Sequence, residues 1–121
     1  MIMMFDRLLS WFDRVRALRE VDGLDERELG DLGLSRAGLR NVVAAPREVT
    51  DRMLAMAARH GLGPQELRGH NQDIAGMVES CRSCESLGAC RAFLADPGDD
   101  PARAVFCPNH ATYEALRAAR D

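Results

Sequence analysis

Four cysteines in the last third of the chain are the residues whose type and spacing best suit chemistry. Cys81, Cys84, Cys90 and Cys107 follow the pattern C-x2-C-x5-C-x16-C, and the sequence holds no other cysteine. Two intervening residues allow the sulfurs of a C-x2-C pair to bind one metal without strain, and two later thiols complete a set of four ligands. We therefore predict that the four sulfurs converge on one inorganic centre.

Several kinds of site use four cysteines. Structural zinc sites commonly combine two C-x2-C pairs, whereas this chain has one pair and two single cysteines among helical segments. Pro108 directly follows the last cysteine, as in ferredoxin motifs that end in C-P. An iron–sulfur cluster is the preferred interpretation and zinc is its alternative. Disulfides, a thiol redox pair and free structural thiols stay open as further interpretations.

The sequence offers little for catalysis. A redox-active C-x2-C pair normally follows a strand in a thioredoxin-like unit, and no strand pattern precedes this one. His110 is near Cys107 in sequence, and we interpret it as a surface residue or a support for a ligand, with a metal ligand and then a catalytic base as the alternatives. His60 is assigned a structural role at a helix end, where a partly charged imidazole suits the helix dipole. We expect a protein that is not an enzyme.

Composition and charge exclude several classes of partner. All 16 basic residues are arginine, and the formal net charge is −3. Neither half of the chain carries the basic excess that binds phosphates, so nucleic acid is not the expected partner. No stretch approaches the roughly 18 apolar residues of a membrane span, and the first residues lack a secretory signal pattern. We expect a cytoplasmic location, a reducing compartment in which cysteine clusters more often bind metals.

Helices are the elements that would position the four cysteines. Apolar residues recur at helical spacing, no alternating strand pattern appears, and Gly and Pro fall between the periodic segments. We predict an all-α fold, a small bundle of five to seven short helices. Residues 1–45 form an N-terminal helical arm and hairpin, and residues 46–121 form the cysteine-containing metal-binding domain. His70 and Asn71 precede one helix of this second part, with Asn71 as its predicted cap.

The N-terminal helices are the predicted interaction surface. Residues 3–20 form an amphipathic helix that packs on the core, on a protein partner or on a second copy of the chain, and its apolar face comprises Phe5, Leu8, Leu9, Phe12, Val15 and Leu18. Residues 24–44 have the outline of a helix-turn-helix, capped by Asp25 and Ser35 and broken at Gly33. A nucleic-acid contact there would have to use Arg36, Arg40 and Asn41.

The cysteine-rich half resembles a family of small bacterial proteins of unknown function. The resemblance lies in "CRSCESLGACRAFL", "FCPNHATYEAL" and the preceding "DRMLAMAARHGLGPQEL", and it covers roughly residues 45–118. The family's shared features are a C-x2-C pair, a Gly-x-Cys, an acidic loop and a C-P-N motif. The resemblance implies that the four cysteines act as a unit, and it implies no particular activity.

Two shorter resemblances add expectations. The segment "ALREVDGLDERELGDLGLSRAGL" is similar to YjiS-like segments of bacterial proteins, some of which are thought to contact RNA. The C-x2-C-x5-C triplet followed by an apolar helix resembles the WhiB-like iron–sulfur regulators, in which the fourth cysteine lies upstream rather than downstream. With four thiolates, this resemblance favours a 4Fe-4S cluster over a 2Fe-2S cluster.

These observations lead to one functional hypothesis and two alternatives. We expect a small protein that binds an iron–sulfur cluster and acts as a redox or iron sensor or as an electron relay. The first alternative is a helical interaction module stapled by structural zinc. The second is a regulator that binds nucleic acid through residues 24–44.

Overall fold

The structure is a computed structural model that describes the backbone of residues 2–120 and the side chains of residues 12–120. Within that part of the chain there are eight α-helices, one 3-10 helix and no β-strand, which confirms the all-α class. The helices are α1 (Ile2–Asp22), α2 (Glu26–Leu32), α3 (Arg36–Ala44), α4 (Arg47–Arg59), α5 (Pro64–Leu67), α6 (Asn71–Arg82), α7 (Leu87–Ala95) and α8 (His110–Arg120), with the 3-10 helix at Pro101–Arg103.

The number of helices exceeds the predicted five to seven because α5 is a separate element of four residues. Pro64 occupies its first position, where the fixed φ favours a helix and the missing N–H costs nothing. The side chain of Glu66 accepts a hydrogen bond from the backbone N–H of Gly63 at 2.9 Å. The connector "GLGPQEL" predicts a short helical turn that opens at Pro64, and the structure confirms this turn.

The predicted boundaries of α2 and α3 are confirmed. The Asp25 carboxylate accepts a hydrogen bond from the Glu28 N–H at 2.8 Å, and the Ser35 hydroxyl accepts one from the Gly38 N–H at 3.0 Å. Gly33 ends α2 with φ of +70°, a left-handed conformation that glycine adopts at little cost. Each boundary depends on residues that are neighbours in the sequence.

Helix α3 joins the N-terminal helices to the rest of the fold, since it packs against both α1 and α6. The Arg36 guanidinium donates hydrogen bonds to the carbonyl oxygens of Val21 and Leu24, both at 2.7 Å. Arg40 forms an ion pair with Asp22. The bonds from Arg36 satisfy carbonyl groups at and just beyond the end of α1, where positive charge also offsets the helix dipole. Both arginines predicted as nucleic-acid contacts are thus engaged within the fold.

The apolar face of α1 is described only in part. Phe5, Leu8 and Leu9 lie outside the residues whose side chains are described. Phe12 is 51% exposed, whereas Val21 near the helix end is 4% exposed. The described part of α1 is therefore buried most deeply at its C-terminal turn.

Within the described residues, no helix has the length and apolar character needed to cross a membrane.

The main core forms where α4 packs against α6, and side chains from α7 and α8 complete the cluster. Tyr113 of α8 is at its centre, fully buried, and its hydroxyl donates a hydrogen bond to the Met53 carbonyl at 3.1 Å. Cys81 and Cys90 belong to this cluster. Two of the four cysteines are therefore part of the packed core, and Cys107 packs against it.

Helix α6 begins differently from the prediction. His70 occupies the N-cap position without a side-chain cap bond, and Asn71, the predicted cap, is the first helical residue. The side-chain amide of Asn71 donates a hydrogen bond to the Leu32 carbonyl at 2.8 Å. The cap prediction was wrong because a carbonyl distant in sequence engages this side chain.

Arg59, the last residue of α4, holds the acidic loop that leads to the final cysteine. Its guanidinium donates hydrogen bonds to the carbonyl oxygens of Phe93 at 3.0 Å, Asp96 at 3.0 Å and Asp99 at 2.7 Å. Its central carbon also lies 4.4 Å from the centroid of the Phe93 ring, a cation–π contact. Because Cys107 follows this loop, Arg59 helps to fix where that cysteine returns to the core.

We expect Arg59→Lys to lower the free energy of unfolding by about 1–2 kcal/mol, because one ammonium group cannot reproduce the planar set of carbonyl contacts. Urea unfolding measures the change. Arg47→Lys, an exposed change at the first residue of the same helix, is the matched control, with an expected effect within about 0.5 kcal/mol. Equal stability of the two variants would show that the loop is held without Arg59.

Candidate metal centre

Two of the four cysteines lie at helix ends, and two lie in the segments that connect helices. Cys81 lies in the last turn of α6, Cys84 in the turn that follows, Cys90 in the first turn of α7, and Cys107 shortly before α8. All four are free thiols; Cys81 and Cys90 are buried, and Cys84 and Cys107 are half-buried. A group bound by all of them would tie α6, α7 and the start of α8 together.

The thiols lie close enough for every pair to interact electrostatically. Burial, followed by the charge of Cys107, raises the pKa of the Cys81 thiol to about 11. Burial is also the largest cause of the raised pKa of Cys90 and of Cys107. Without a cation these three thiols are therefore protonated at neutral pH. Their ionisation requires a positive charge among them, such as a metal supplies.

Hydrogen-bond donors surround the sulfur atoms. Asn109 Nδ2 donates to Cys81 Sγ at 3.3 Å, and the Ser86 backbone N–H donates to Cys84 Sγ at 3.3 Å. Burial raises the pKa of the Cys107 thiol, and hydrogen bonds from the backbone N–H groups of Asn109 and His110 oppose that shift. Such donors stabilise thiolates, and at iron–sulfur centres they tune the reduction potential.

The contact of Asn109 with the cysteines could not be predicted from the sequence. Its position directly before α8 indicates only a helix cap. Its side chain is 3% exposed, and its amide nitrogen donates to the Met77 carbonyl at 2.9 Å as well as to Cys81. One amide thus connects the segment after Cys107 to the end of α6. Its position beside Cys107 was the only available signal, and its partners lie on another helix.

The prediction that the four sulfurs converge on one point needs correction. Among the side chains of residues 12–120, the cysteines supply no set of three sulfurs that all lie within 4.8 Å of one another. Tetrahedral zinc with Zn–S bonds of about 2.3 Å requires sulfur separations of about 3.8 Å. Protonated thiols pack as small apolar groups, so core packing alone sets the distances between their sulfur atoms. The thiols share one region of the fold but do not form a set of ligands around a single ion.

Positive charge reaches the thiols from α4. Burial raises the pKa values of Cys81 and Cys90, and Arg52 opposes both shifts. Arg52 also donates a hydrogen bond to the Cys81 carbonyl at 3.3 Å. Arg91 acts in the same direction on Cys90 alone. Arg52 precedes Cys81 by 29 residues, so its role could not be read from the sequence around the cysteines.

An open surface pocket of about 340 Å³ lies beside Cys84. Its lining includes Phe106, Pro108 and three serines around the C-x2-C turn: Ser80, Ser83 and Ser86. Cys84 is thus the cysteine through which small molecules in solution can approach the region.

A second group of potential ligands lies between α4 and α8. His60 Nε2 is 3.3 Å from His110 Nδ1 and 3.9 Å from Glu114 Oε1, and the three ligand atoms all lie within 4.8 Å of one another. The residue spacing in the sequence does not predict this group. The four-residue spacing of His110 and Glu114 on one helix was the available signal, but His60 is 50 residues from His110.

The predicted charged state of His60 is also wrong. The residue is 1% exposed, and burial, the largest cause, lowers the pKa of its imidazole despite opposing contributions from Met56 and Glu114. A buried imidazole loses the hydration that favours its charged form, and at this helix end that loss outweighs the dipole.

The difference in burial predicts an order of thiol reactivity. In reduced, metal-free protein at pH 8, we expect iodoacetamide to modify Cys84 at least about tenfold faster than Cys81, since the thiolate is the reactive form. A thiol with a pKa of about 11 is roughly 0.1% ionised at that pH, so the Cys81 rate should rise until the pH passes that value. Trypsin cleavage after Arg82 separates the two cysteines for mass spectrometry. Equal rates would contradict the structural assignment.

The comparisons with known proteins identify a family without an assigned activity. A model of the Family of unknown function (DUF6455) matches residues 41–119, a range that contains α4–α8, all four cysteines and His60, His110 and Glu114. No curated protein and no solved structure matches the chain. The resemblance to YjiS-like segments lies outside the matched range and stays a prediction. Because the match covers more than half of the chain, the protein belongs to the family of unknown function DUF6455.

Proposed function

We propose that this protein binds an iron–sulfur cluster, preferably 4Fe-4S, through Cys81, Cys84, Cys90 and Cys107. It would act in a reducing cytoplasm as a redox or iron sensor or as an electron relay, without enzymatic activity. The observation that carries this proposal is the meeting of all four thiols in one region, with N–H donors directed at their sulfurs. When bound, such a cluster accepts and releases single electrons.

The spacing of the sulfurs favours a cluster over the zinc alternative. A single zinc ion needs all its thiolates at about 2.3 Å from one point, and among the described side chains no three cysteine sulfurs all lie within 4.8 Å of one another. In a 4Fe-4S cluster each thiolate binds a different iron at a corner of a cube, so the ligands stay further apart. Electrostatic contact between every pair of thiols, without ligating distances, supports this wider arrangement.

The surrounding residues would stabilise the thiolates. Arg52 contributes positive charge from α4, and the hydrogen bonds from Asn109 and Ser86 supply partial positive charge at two sulfurs. Each of these groups lowers the energy of the anionic ligand set relative to the protonated thiols. Removing any of them should weaken the binding of the cluster.

A sensing role is proposed because the ligands come from different helices and would join them. Loss of the cluster would return the thiols to their protonated form and release the links between α6, α7 and the start of α8. Because α6 packs against α3, and α3 packs against α1, a shift of α6 would reach the N-terminal helices. We propose these helices as the surface for a protein partner or a second copy of the chain.

The nucleic-acid alternative receives less support. Arg36 and Arg40 are the basic residues it requires, and both contact the end of α1. Binding to phosphates would have to compete with those contacts. Salt-dependent binding of RNA or DNA that is lost in an Arg36→Ala, Arg40→Ala double variant would restore this alternative.

The proposal is tested by purifying the full-length protein without oxygen and recording its visible spectrum. A brown protein whose absorption bleaches on addition of dithionite supports an iron–sulfur cluster. A colourless protein that holds one tightly bound zinc ion per chain would establish the zinc alternative. A colourless protein without metal would exclude both forms of the proposed site.

A further inference from the structure

The arrangement of His60, His110 and Glu114 has the dimensions of a transition-metal site. Two nitrogens bound to one tetrahedral zinc at about 2.0–2.1 Å are about 3.3 Å apart. The distance between His60 Nε2 and His110 Nδ1 is 3.3 Å. Glu114 Oε1 lies 3.9 Å from His60 Nε2, and all three ligand atoms lie within 4.8 Å of one another. His110 and Glu114 are four residues apart and share one face of α8.

His60 is held in the orientation and protonation state that a metal ligand needs. Its Nδ1 lies 2.9 Å from the Met56 carbonyl oxygen, which can only accept a hydrogen bond, so Nδ1 carries the proton. The lone pair is therefore on Nε2, facing His110 and Glu114. The ring also stacks on Tyr113, with centroids 4.8 Å apart and an interplanar angle of 29°. A carbonyl that fixes the tautomer of a histidine is a common support for metal ligands.

Glu114 supplies an independent observation. Its Oε1 atom is buried and accepts no hydrogen bond within the described part of the chain. A direct hydrogen bond from His110 Nδ1 to His60 Nε2 would satisfy both imidazoles but would leave this carboxylate oxygen without a donor, at a cost of about 1–3 kcal/mol. A cation among the three ligands satisfies all of them. The Glu114 side chain is 39% exposed, which gives an ion a route into the site.

We propose that His60, His110 and Glu114 bind one divalent transition-metal ion of the zinc type, at a site separate from the four cysteines. Two imidazoles and one carboxylate select zinc and related ions over calcium and magnesium, which prefer oxygen ligands. Three protein ligands leave one tetrahedral position for water or an external ligand. The ion would link the end of α4 to α8, whether or not the cysteines bind a cluster.

The test is a titration of Zn²⁺ into full-length protein purified without oxygen and labelled with ¹⁵N-histidine. The chain has three histidines, so long-range ¹H–¹⁵N spectra report each ring separately from any metal at the cysteines. We expect His60 Nε2 and His110 Nδ1 to shift on binding, while the His70 ring does not. His70 lies 3.6 Å from Asp73 in an exposed pair and provides the matched control.

The affinity for Zn²⁺ at this site should fall at least about 100-fold in both His110→Ala and Glu114→Gln, because groups that only orient a ligand already contribute about 10–100-fold. His70→Ala should leave it unchanged. Glu114→Gln keeps the shape of a half-buried side chain, so its amide spectrum should stay that of a folded protein. Unshifted ring nitrogens at saturating Zn²⁺, or equal affinity in all variants, would overturn the proposal.

Discussion

Replacing Cys107 with alanine should reduce the visible absorption per chain of anaerobically purified protein at least about tenfold, because ligand positions contribute that much or more to metal retention. In the proposed site, Cys107 would be the ligand that reaches the centre from the segment before α8, after the loop held by Arg59. Its loss leaves three thiols on the α6–α7 side. Because cluster binding and folding are coupled, the thermal midpoint should fall as well.

The control for Cys107→Ala is Ser83→Ala. Ser83 lines the surface pocket beside Cys84, and its hydroxyl donates a hydrogen bond to the Glu79 carbonyl at 3.1 Å. This substitution should leave colour and midpoint close to those of the unmodified protein. Full retention of the visible spectrum in Cys107→Ala would remove this residue from the ligand set.

Asn109→Asp should lower the free energy of unfolding by at least about 3 kcal/mol. The amide nitrogen of Asn109 donates to the Met77 carbonyl at 2.9 Å and to Cys81 Sγ at 3.3 Å, in a side chain that is 3% exposed. An ionised carboxylate donates to neither group and places a negative charge beside a sulfur. Chemical denaturation of the variant measures the loss.

The same substitution predicts a pH dependence with a definite sign. Burial beside acceptors should raise the pKa of the new carboxyl above its unfolded value of about 3.9. The penalty is then complete above the raised pKa and shrinks as the pH falls towards the unfolded value, since a protonated carboxyl regains one donor. The stability difference from the unmodified protein should therefore narrow between pH 8 and pH 5.

Asn71→Asp is the matched control for Asn109→Asp. Asn71 also donates one amide hydrogen bond to a carbonyl, that of Leu32 at 2.8 Å, but the bond is exposed. A negative charge at the first position of α6 also suits the helix dipole. The change should stay within about 1 kcal/mol. Equal effects at the two positions would mean that burial beside Cys81 is not what makes Asn109 important.

The parts of the fold that the sequence predicts correctly depend on neighbouring residues. Asp25, Gly33 and Ser35 set the ends of α2 and α3 through bonds to residues within four positions. The family resemblance, given as residues 45–118, lies within the matched range of 41–119. Turn and cap chemistry is encoded locally, so a single sequence is enough to locate it.

The parts that the sequence did not predict depend on partners distant in the chain. Asn109 bonds to a carbonyl 32 residues away, Arg52 to one 29 residues away, and His60 to a histidine 50 residues away. Spacing identifies which residues can ligate a metal but not which side chains the packing of α4, α6 and α8 brings beside them. The environment of the cysteines and the histidine–glutamate group therefore required the structure.

Native mass spectrometry of the anaerobically purified, full-length protein tests the central claim most directly, because the added mass identifies both the metal and the number of inorganic sulfurs on each chain. The account predicts one chain carrying one cluster of four irons and four sulfides, and its loss in Cys107→Ala. A chain that carries neither iron nor sulfide, with only zinc or no metal at the cysteines, would contradict it.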